Sequence, residues 1–355
     1  MLDLSSKTTS ALLPTDILFQ TRYWAQVKSR LGYTPMAFDL LSSRQCGDVL
    51  VLLQPFGRGK AVAYVPQGPE FAPAEEDYGP FLEHVSVKLS RHLGPKVAFI
   101  RYDLPWKSQY ADEMQAQKWN SFPEPRIREL RMNMGTRFWN IRKSFRDMTV
   151  ASSLVVDIDG QEEHNLGRMK PKTRYNIGLA HRKGVTIRAV SVDKLREFHS
   201  LYCQTASRNG FSSCSYRHFV ALFSAQIRRR KDAEILFLLA QHGRDILAGA
   251  IVAITGKAAN FLYGASANIK RNFMGPYALH WDAMLMARAR GCATYEMGAV
   301  SPGLDPAHPF YGLYRFKTGF GGRIELRNGS WDYPLDHDAY QDFCNAESLD
   351  RRRAE

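Results

Sequence analysis

The sequence predicts a mixed α+β protein built as two halves with the same order of elements. Three observations carry that expectation. Short apolar runs separated by glycine turns mark antiparallel hairpins, segments with apolar residues at helical spacing flank them, and the whole order recurs once along the chain. Such an order with hairpins argues against doubly wound sheets and parallel barrels, which need strictly alternating units.

The elements of the first half follow in turn. Trp24, Val27 and Leu31 place a helix over 21–31. The runs 49–56 and 60–66 form a hairpin, because Gly57 and Gly59 supply the positive φ of a tight reversal at Gly57-Arg58-Gly59. That GRGK is a turn and no phosphate loop, since GxxxxGK[ST] is absent. A helix over 77–93 and an apolar strand over 97–103 complete the half. In the second half helices are expected over 170–183, 192–208 and 215–230, then strands over 234–241, 246–255 and 258–266. A helix over 276–290 leads to a last strand over 293–299.

Composition bounds the function. The chain has 355 residues, room for about two domains, with 45% apolar and 23% charged residues, ordinary for a globular protein. Lys and Arg number 48 against 35 Asp and Glu, a net charge of +13 that favours a polyanionic partner: nucleic acid, a phosphorylated metabolite or an anionic membrane face. Five cysteines, odd in number and without a CxxC pair, suit a reducing compartment and argue against disulfides or a zinc site. The N-terminus does not read as a secretory signal, and the longest apolar run, 246–255, is half a membrane span. A cytoplasmic location is expected. With no separate amphipathic anchor, any contact with the inner face of the membrane would be peripheral.

The usual chemical signatures are missing. GxSxG, HExxH, GxGxxG after a strand and EF-hand loops do not occur, and the histidines lack metal-ligand spacing. No cofactor and no metal are expected, which leaves group transfer between two bound substrates by positioning and electrostatics. Four stretches stand out. Residues 126–146 carry Arg126, Arg128, Arg131, Arg137, Arg142, Lys143 and Arg146 with Phe138 and Trp139 between them and Glu129 as the sole acid. A solvated interdomain linker and a phosphate-tracking surface both remain open for it. The basic run at 228–231 reads as cations closing a helix. Residues 168–185 gather Lys170, Lys172, Arg174, Arg182 and Lys183 on a short helix. Residues 308–322 combine Gly312, Gly319, Gly321 and Gly322, which would let backbone approach a ligand, with Tyr311, Tyr314, Phe316, Phe320 and Lys317.

The stretches KTRYNIGLAHRKGV and GLYRFKTGFGG closely resemble the two signature stretches of the Fem family (FemABX), aminoacyl-tRNA-dependent peptidyltransferases of peptidoglycan side-branch synthesis. Phe19-Gln20 with Trp24 and Lys28 resembles the family's opening F-Q-S-x-x-W-x-x-x-K, with Thr21 for Ser. Tyr64-Val65-Pro66-Gln67-Gly68-Pro69 resembles Y-I-P-x-G-P, and Arg101-Tyr102-Asp103-Leu104-Pro105 resembles R-x-D-P with one residue inserted. The runs 201–211 and 263–300 fit as well, so the likeness covers nearly the whole chain.

The resemblance implies two GNAT-like acyltransferase domains in tandem: residues 1–147, completed by a C-terminal return over 325–355, and residues 148–324. It implies two substrates, an aminoacyl-tRNA and a muramyl-pentapeptide precursor, either UDP-linked or lipid II. The side-chain amine of peptide residue 3 would attack the aminoacyl ester. Lys28 and Arg208 match the cations that contact the acceptor's diphosphate, with Tyr64, Tyr263 and Tyr314 as further substrate contacts. Lys317 matches a lysine that stabilises the oxyanion, flanked by Phe316. Asp103 matches an aspartate assigned as general base. A carboxylate near pKa 4 suits an amine near about 10 poorly unless burial raises it, so orienting the amine stays open as its alternative. The long helical arm of some members is absent, because 192–230 holds two ordinary helices. Lys170, Lys172, Arg174, Arg142 and Lys143 are then the expected tRNA contacts.

Two other readings compete. An acetyl-CoA-dependent GNAT enzyme would need a [RQ]xxGx[GA] loop, whereas Arg271–Ala278 has the wrong spacing and Pro276 removes an amide donor. A non-catalytic RNA-binding protein would account for the charge but not for the glycine-aromatic stretch around Lys317.

Overall fold

The computed structural model describes residues 2–42, 45–57, 59–116, 121–225 and 232–354. The expected run at 228–231 and Arg58 of the expected turn lie outside them.

The first part of the chain holds β1 (Asp3–Lys7), α1 (Arg22–Arg30), β2 (Thr34–Leu41), β3 (Cys46–Phe56), β4 (Lys60–Val65), α2 (Tyr78–Ser90), β5 (Val97–Lys107), α3 (Ala111–Gln115), α4 (Pro125–Asn133) and β6 (Arg142–Lys143). The middle holds β7 (Ser152–Asp157), α5 (Glu162–Gly167), α6 (Pro171–Arg182), β8 (Thr186–Ala189), α7 (Leu195–Asn209), α8 (Tyr216–Ser224), β9 (Glu234–His242), β10 (Asp245–Thr255), β11 (Ala258–Ser266), α9 (Gly275–Arg288), β12 (Thr294–Ala299) and α10 (Tyr311–Lys317). The chain ends with β13 (Arg323–Pro334) and α11 (His337–Ala354).

These elements form two compact units. One comprises Met1–Leu13, Phe19–Ala151 and Leu326–Glu355, the other Pro14–Leu18 and Ser152–Glu325. In the first, the strand order is β1-β2-β3-β4-β5-β13, with β6 also on β13, and only β4 and β5 run parallel. In the second, the order β8-β9-β10-β11-β12-β7 repeats the pattern strand for strand, with β11 and β12 as the parallel pair. The parallel step has the same cause in both. A helix, α2 or α9, separates the two strands and carries the chain back to the starting edge. The mixed fold class and the tandem repetition expected from the sequence are therefore present.

Each unit closes its own core. Val49, Val51, Ala63, Val65, Leu82, Val85 and Leu89 pack together in the first. Leu236, Leu238, Ala250, Val252, Ala283 and Met284 do so in the second. α1 starts at Thr21, whose hydroxyl accepts from the Trp24 amide, and α7 stops at Gly210 with φ 71°. Residues 126–146 are no solvated linker. They form α4, a turn and β6 within the first unit. Arg128 is buried and donates to Asn328 O at 2.7 Å, and Arg131 donates to Gln109 O at 2.8 Å.

Candidate functional site

In the second unit β11 and β12 pair only over Ala258–Asn260 and Thr294–Glu296, while β11 runs on to Ser266. Where the strands part, a cavity of about 1120 Å³ opens, lined among others by Phe261, Tyr277, His280, Phe316 and Lys317. An apolar hollow holding a few placed polar groups is the usual form of a small-ligand site.

Lys317, the last residue of α10, is 5% exposed, and its Nζ donates to Ala299 O at 2.7 Å. The register of β12 on β7 shifts between Glu296 and Ala299, and Gly298 sits there with φ 73°. That kink brings the Ala299 carbonyl to the lysine. An ammonium has three N–H groups, so one bond leaves donors over. Burial pushes the Lys317 pKa down to about 8, and Glu296 acts to raise it. The group is therefore still mostly protonated at pH 7.

His280 is equally buried, and its ring lies 4.6 Å from Phe261 and 5.6 Å from both Phe316 and Phe320, centroid to centroid. Its Nδ1 is 3.3 Å from the Tyr295 hydroxyl. Burial, with the Lys317 charge as second cause, pushes its pKa down to about 3. It is a neutral imidazole at working pH, able to donate or accept a hydrogen bond without changing charge. Sequence reasoning missed His280, because PYALHW on a helix reads as core packing.

Phe316 is half-buried against Tyr277 at 4.9 Å. Tyr314 stacks on Tyr311 at 6.2 Å and packs on the core of its unit. The glycines that follow serve a different purpose from the one expected. A Cβ on Gly319 would strike the Thr173 hydroxyl, and one on Gly322, where φ is 88°, would strike the Val155 carbonyl. They let backbone pass close to other parts of the protein itself.

Arg208 lies in the last turn of α7 and is exposed. Its guanidinium donates to Ser266 O and Ser266 Oγ, each at 2.8 Å, and to Asn268 Oδ1 at 2.7 Å. The Tyr263 hydroxyl is 2.7 Å from His218 Nε2. Lys170 precedes α6, with Lys172 and Arg174 in its first turn, and all three are exposed. They add to the positive end of the helix dipole.

The first unit holds the other expected residues. Asp103 on β5 is 1% exposed, with Oδ1 accepting from Ser330 Oγ at 2.9 Å and Oδ2 from Thr149 Oγ1. Burial raises its pKa, while the two hydroxyl donors pull it back. Tyr64 beside it is buried, and burial, then the Asp103 charge, lifts its pKa well above the usual range. Lys28 is half-buried, its Nζ 5.1 Å from the Trp24 ring centre and 4.8 Å from that of Tyr33. Two stretches of the resemblance meet nearby, where Gln20 accepts from Leu50 N at 2.7 Å and donates to Pro66 O at 2.5 Å. Arg142 donates to Trp139 O at 2.9 Å. The Lys143 side chain departs from the expected surface role. It is buried, with Nζ 2.6 Å from Asp147 Oδ1 and 2.7 Å from Ser330 O, so in this conformation it is not presented to a nucleic acid.

The profile of the FemAB family matches residues 10–228 and 224–346. A lipid II:glycine glycyltransferase of Staphylococcus haemolyticus is 35% identical over 113 residues, 32% of this chain and 27% of that protein. The lipid II:glycine glycyltransferase of Staphylococcus aureus (strain USA300) is 22% identical over 253 residues, 53% of this chain and 60% of that protein. The chain thus spans less than two thirds of the length of these curated relatives. The crystal structure of FemX superposes with a TM-score of 0.73 at 17% identity, over 96% of this chain and 100% of FemX, which shows a shared fold. Because the profile runs through both units and over nearly all the residues discussed above, the chain belongs to the FemAB family.

Proposed function

We propose that this chain is an aminoacyltransferase. It moves an amino acid from aminoacyl-tRNA to the side-chain amine of residue 3 of a peptidoglycan-precursor pentapeptide, presented as UDP-MurNAc-pentapeptide or lipid II. The observation that carries the reading is Lys317, a buried ammonium at the wall of an apolar cavity with donors left over. The names of the matched relatives, lipid II:glycine glycyltransferases, support the same class of reaction.

In the proposed step the amine nitrogen attacks the ester carbonyl carbon, and the C=O pair moves onto oxygen. Lys317 donates to that oxyanion, and the neutral His280 imidazole is a second donor in reach of the same cavity. A donor aimed at developing charge in a water-poor site is worth a few kcal/mol, about 10²–10³ in rate. Collapse breaks the bond from carbonyl carbon to ribose oxygen, and the proton lost by the amine ends on that oxygen. Phe316 holds the lysine's side of the cavity. Asp103, already accepting from two hydroxyls, is assigned as an orienting carboxylate and not as the base. Lys28 and Arg208 are the proposed diphosphate contacts, with Tyr64, Tyr263 and Tyr314 as further substrate contacts. Lys170, Lys172 and Arg174, with Arg142, are proposed to meet tRNA phosphates.

The test incubates the protein with tRNA charged with radiolabelled amino acids and either acceptor, with and without RNase. RNase-sensitive label on the peptide is the expected result. No transfer to either acceptor, with acetylation of an amine by acetyl-CoA, would overturn the reading.

A further inference from the structure

The helix α4 buries a mixed face and turns an apolar stripe outward. Its buried face carries Met132, which joins the core, and Arg128, whose guanidinium lies 4.9 Å from the Phe122 ring centre and 5.7 Å from that of Trp331, together with Asn133. Its outward face carries Ile127 and Leu130, 52% and 50% exposed, continued past the helix end by Met134 at 64%. Spacings of three and four residues put these three on one stripe. The turn that follows presents Phe138 and Trp139, 55% and 47% exposed. Single apolar residues on a surface need no explanation, but five within residues 127–139 make a patch.

The patch is held in place by the fold. The buried Glu83 carboxylate accepts from the amides of Arg137 and Phe138 at 2.7 and 2.8 Å. Trp139 takes a left-handed conformation, φ 52°, and its carbonyl accepts from Arg142 at 2.9 Å. Exposed cations accompany the apolar side chains: Arg126 opens the helix, and the Arg137 guanidinium lies 5.2 Å from the Phe138 ring centre. Glu129, the sole acid from 126 to 146, accepts from the Lys143 amide at 2.8 Å.

We infer that this face docks the protein on the surface of an anionic lipid bilayer. Ile127, Leu130, Met134, Phe138 and Trp139 enter the interfacial layer while Arg126 and Arg137 pair with lipid phosphates. Aliphatic and aromatic side chains flanked by arginines are the chemistry of an interfacial element, with the tryptophan at headgroup level. Nucleic acid would use stacking rings and several free cations, and has no use for isoleucine, leucine and methionine. A second copy of the chain would bring the same arginines face to face across a two-fold interface.

The inference stands apart from the proposed transfer reaction, because its test uses vesicles with no peptidoglycan precursor. The full chain is sedimented with vesicles of phosphatidylcholine containing about 30% phosphatidylglycerol, and with phosphatidylcholine alone. Wild type is expected to bind the anionic vesicles, and less so as salt rises. The triple variant Leu130→Gln, Met134→Gln, Phe138→Ser changes only exposed side chains, and should keep its circular dichroism spectrum. Its partition should fall at least about tenfold. Failure of wild type to bind anionic vesicles, or equal binding by the variant, would overturn the inference. So would a variant that loses tRNA retention on filters but keeps vesicle binding, which would mark an RNA face. A wild-type dimer that the triple variant dissociates, by light scattering, would instead assign the patch to a second copy.

Discussion

Replacing Lys317 with Met removes a buried charge, and the structure sets how the effect should depend on pH. The folded pKa is about 8, against 10.5 for an unburied lysine. At pH 7 the ammonium is charged in both states, and the folded protein bears the whole penalty of burying it. At about 1.4 kcal/mol per pH unit that penalty is about 3 kcal/mol. As pH rises through 8 the folded state loses this proton first. The unfolded chain then binds more protons, and wild-type stability climbs until about pH 10.5. Methionine has no such rise. The stability of Lys317→Met minus that of wild type should therefore fall by about 3 kcal/mol between pH 7 and pH 10.5. Urea midpoints followed by circular dichroism at pH 7, 8, 9 and 10 measure it, and taking the difference at each pH cancels the titrations both proteins share. A difference that stays flat across this range would refute the buried-ammonium argument. Transfer by the same variant should drop about 10²–10³-fold at pH 7, the cost of one oxyanion donor.

Other substitutions probe the remaining groups. His280→Phe keeps the ring packing but deletes both ring nitrogens, and should lower kcat about tenfold or more with KM little changed. His280→Gln should restore part of the loss, whereas a wild-type rate in the Phe variant would remove the imidazole from the reaction. Lys28→Ala should raise the acceptor KM, and an effect confined to tRNA binding would contradict its phosphate role. Glu347→Ala removes a carboxylate that accepts from Arg101 at 2.9 Å in the buried cluster with Asp332. Arg101 keeps its two bonds to Asp332, so losing the second carboxylate should destabilise the first unit by about 1.5–3 kcal/mol, seen as a lower urea midpoint. Gly322→Ala, which drives a Cβ at the Val155 carbonyl from a left-handed backbone, should cost more than about 1 kcal/mol, whereas Gly59→Ala, also at positive φ but in open space, should cost less.

Much of the architecture was legible in the spacing of residues. The helices at 22–30, 78–90, 171–182 and 275–288 and the meander over 234–266 follow from local periodicity and glycine turns, which act within a few residues of chain. The strands β1, β2, β7, β8 and β13 and the helix α11 were not read out. β7 and β13 take their place from partners far away in sequence, as Ser330 does from Asp103. The charged stretch 126–146 misled for a related reason. Counting cations assumes that they face water, whereas Arg128 and Lys143 face inward and Ile127 and Leu130 face out.

The sequence by itself determined the two-part mixed fold, the family and the chemical type of the main candidates, a lysine among glycines and aromatic rings and an aspartate at a strand end. Only the tertiary structure decided what surrounds them. The proton affinity of Lys317 depends on burial and on Glu296, the presence of His280 in the cavity on how α9 packs against the sheet, and the state of Asp103 on hydroxyls 46 and 227 residues away. Periodicity is a property of neighbours along the chain, but desolvation, hydrogen-bond partners and exposure are properties of neighbours in space. They come into being only when distant segments close on one another.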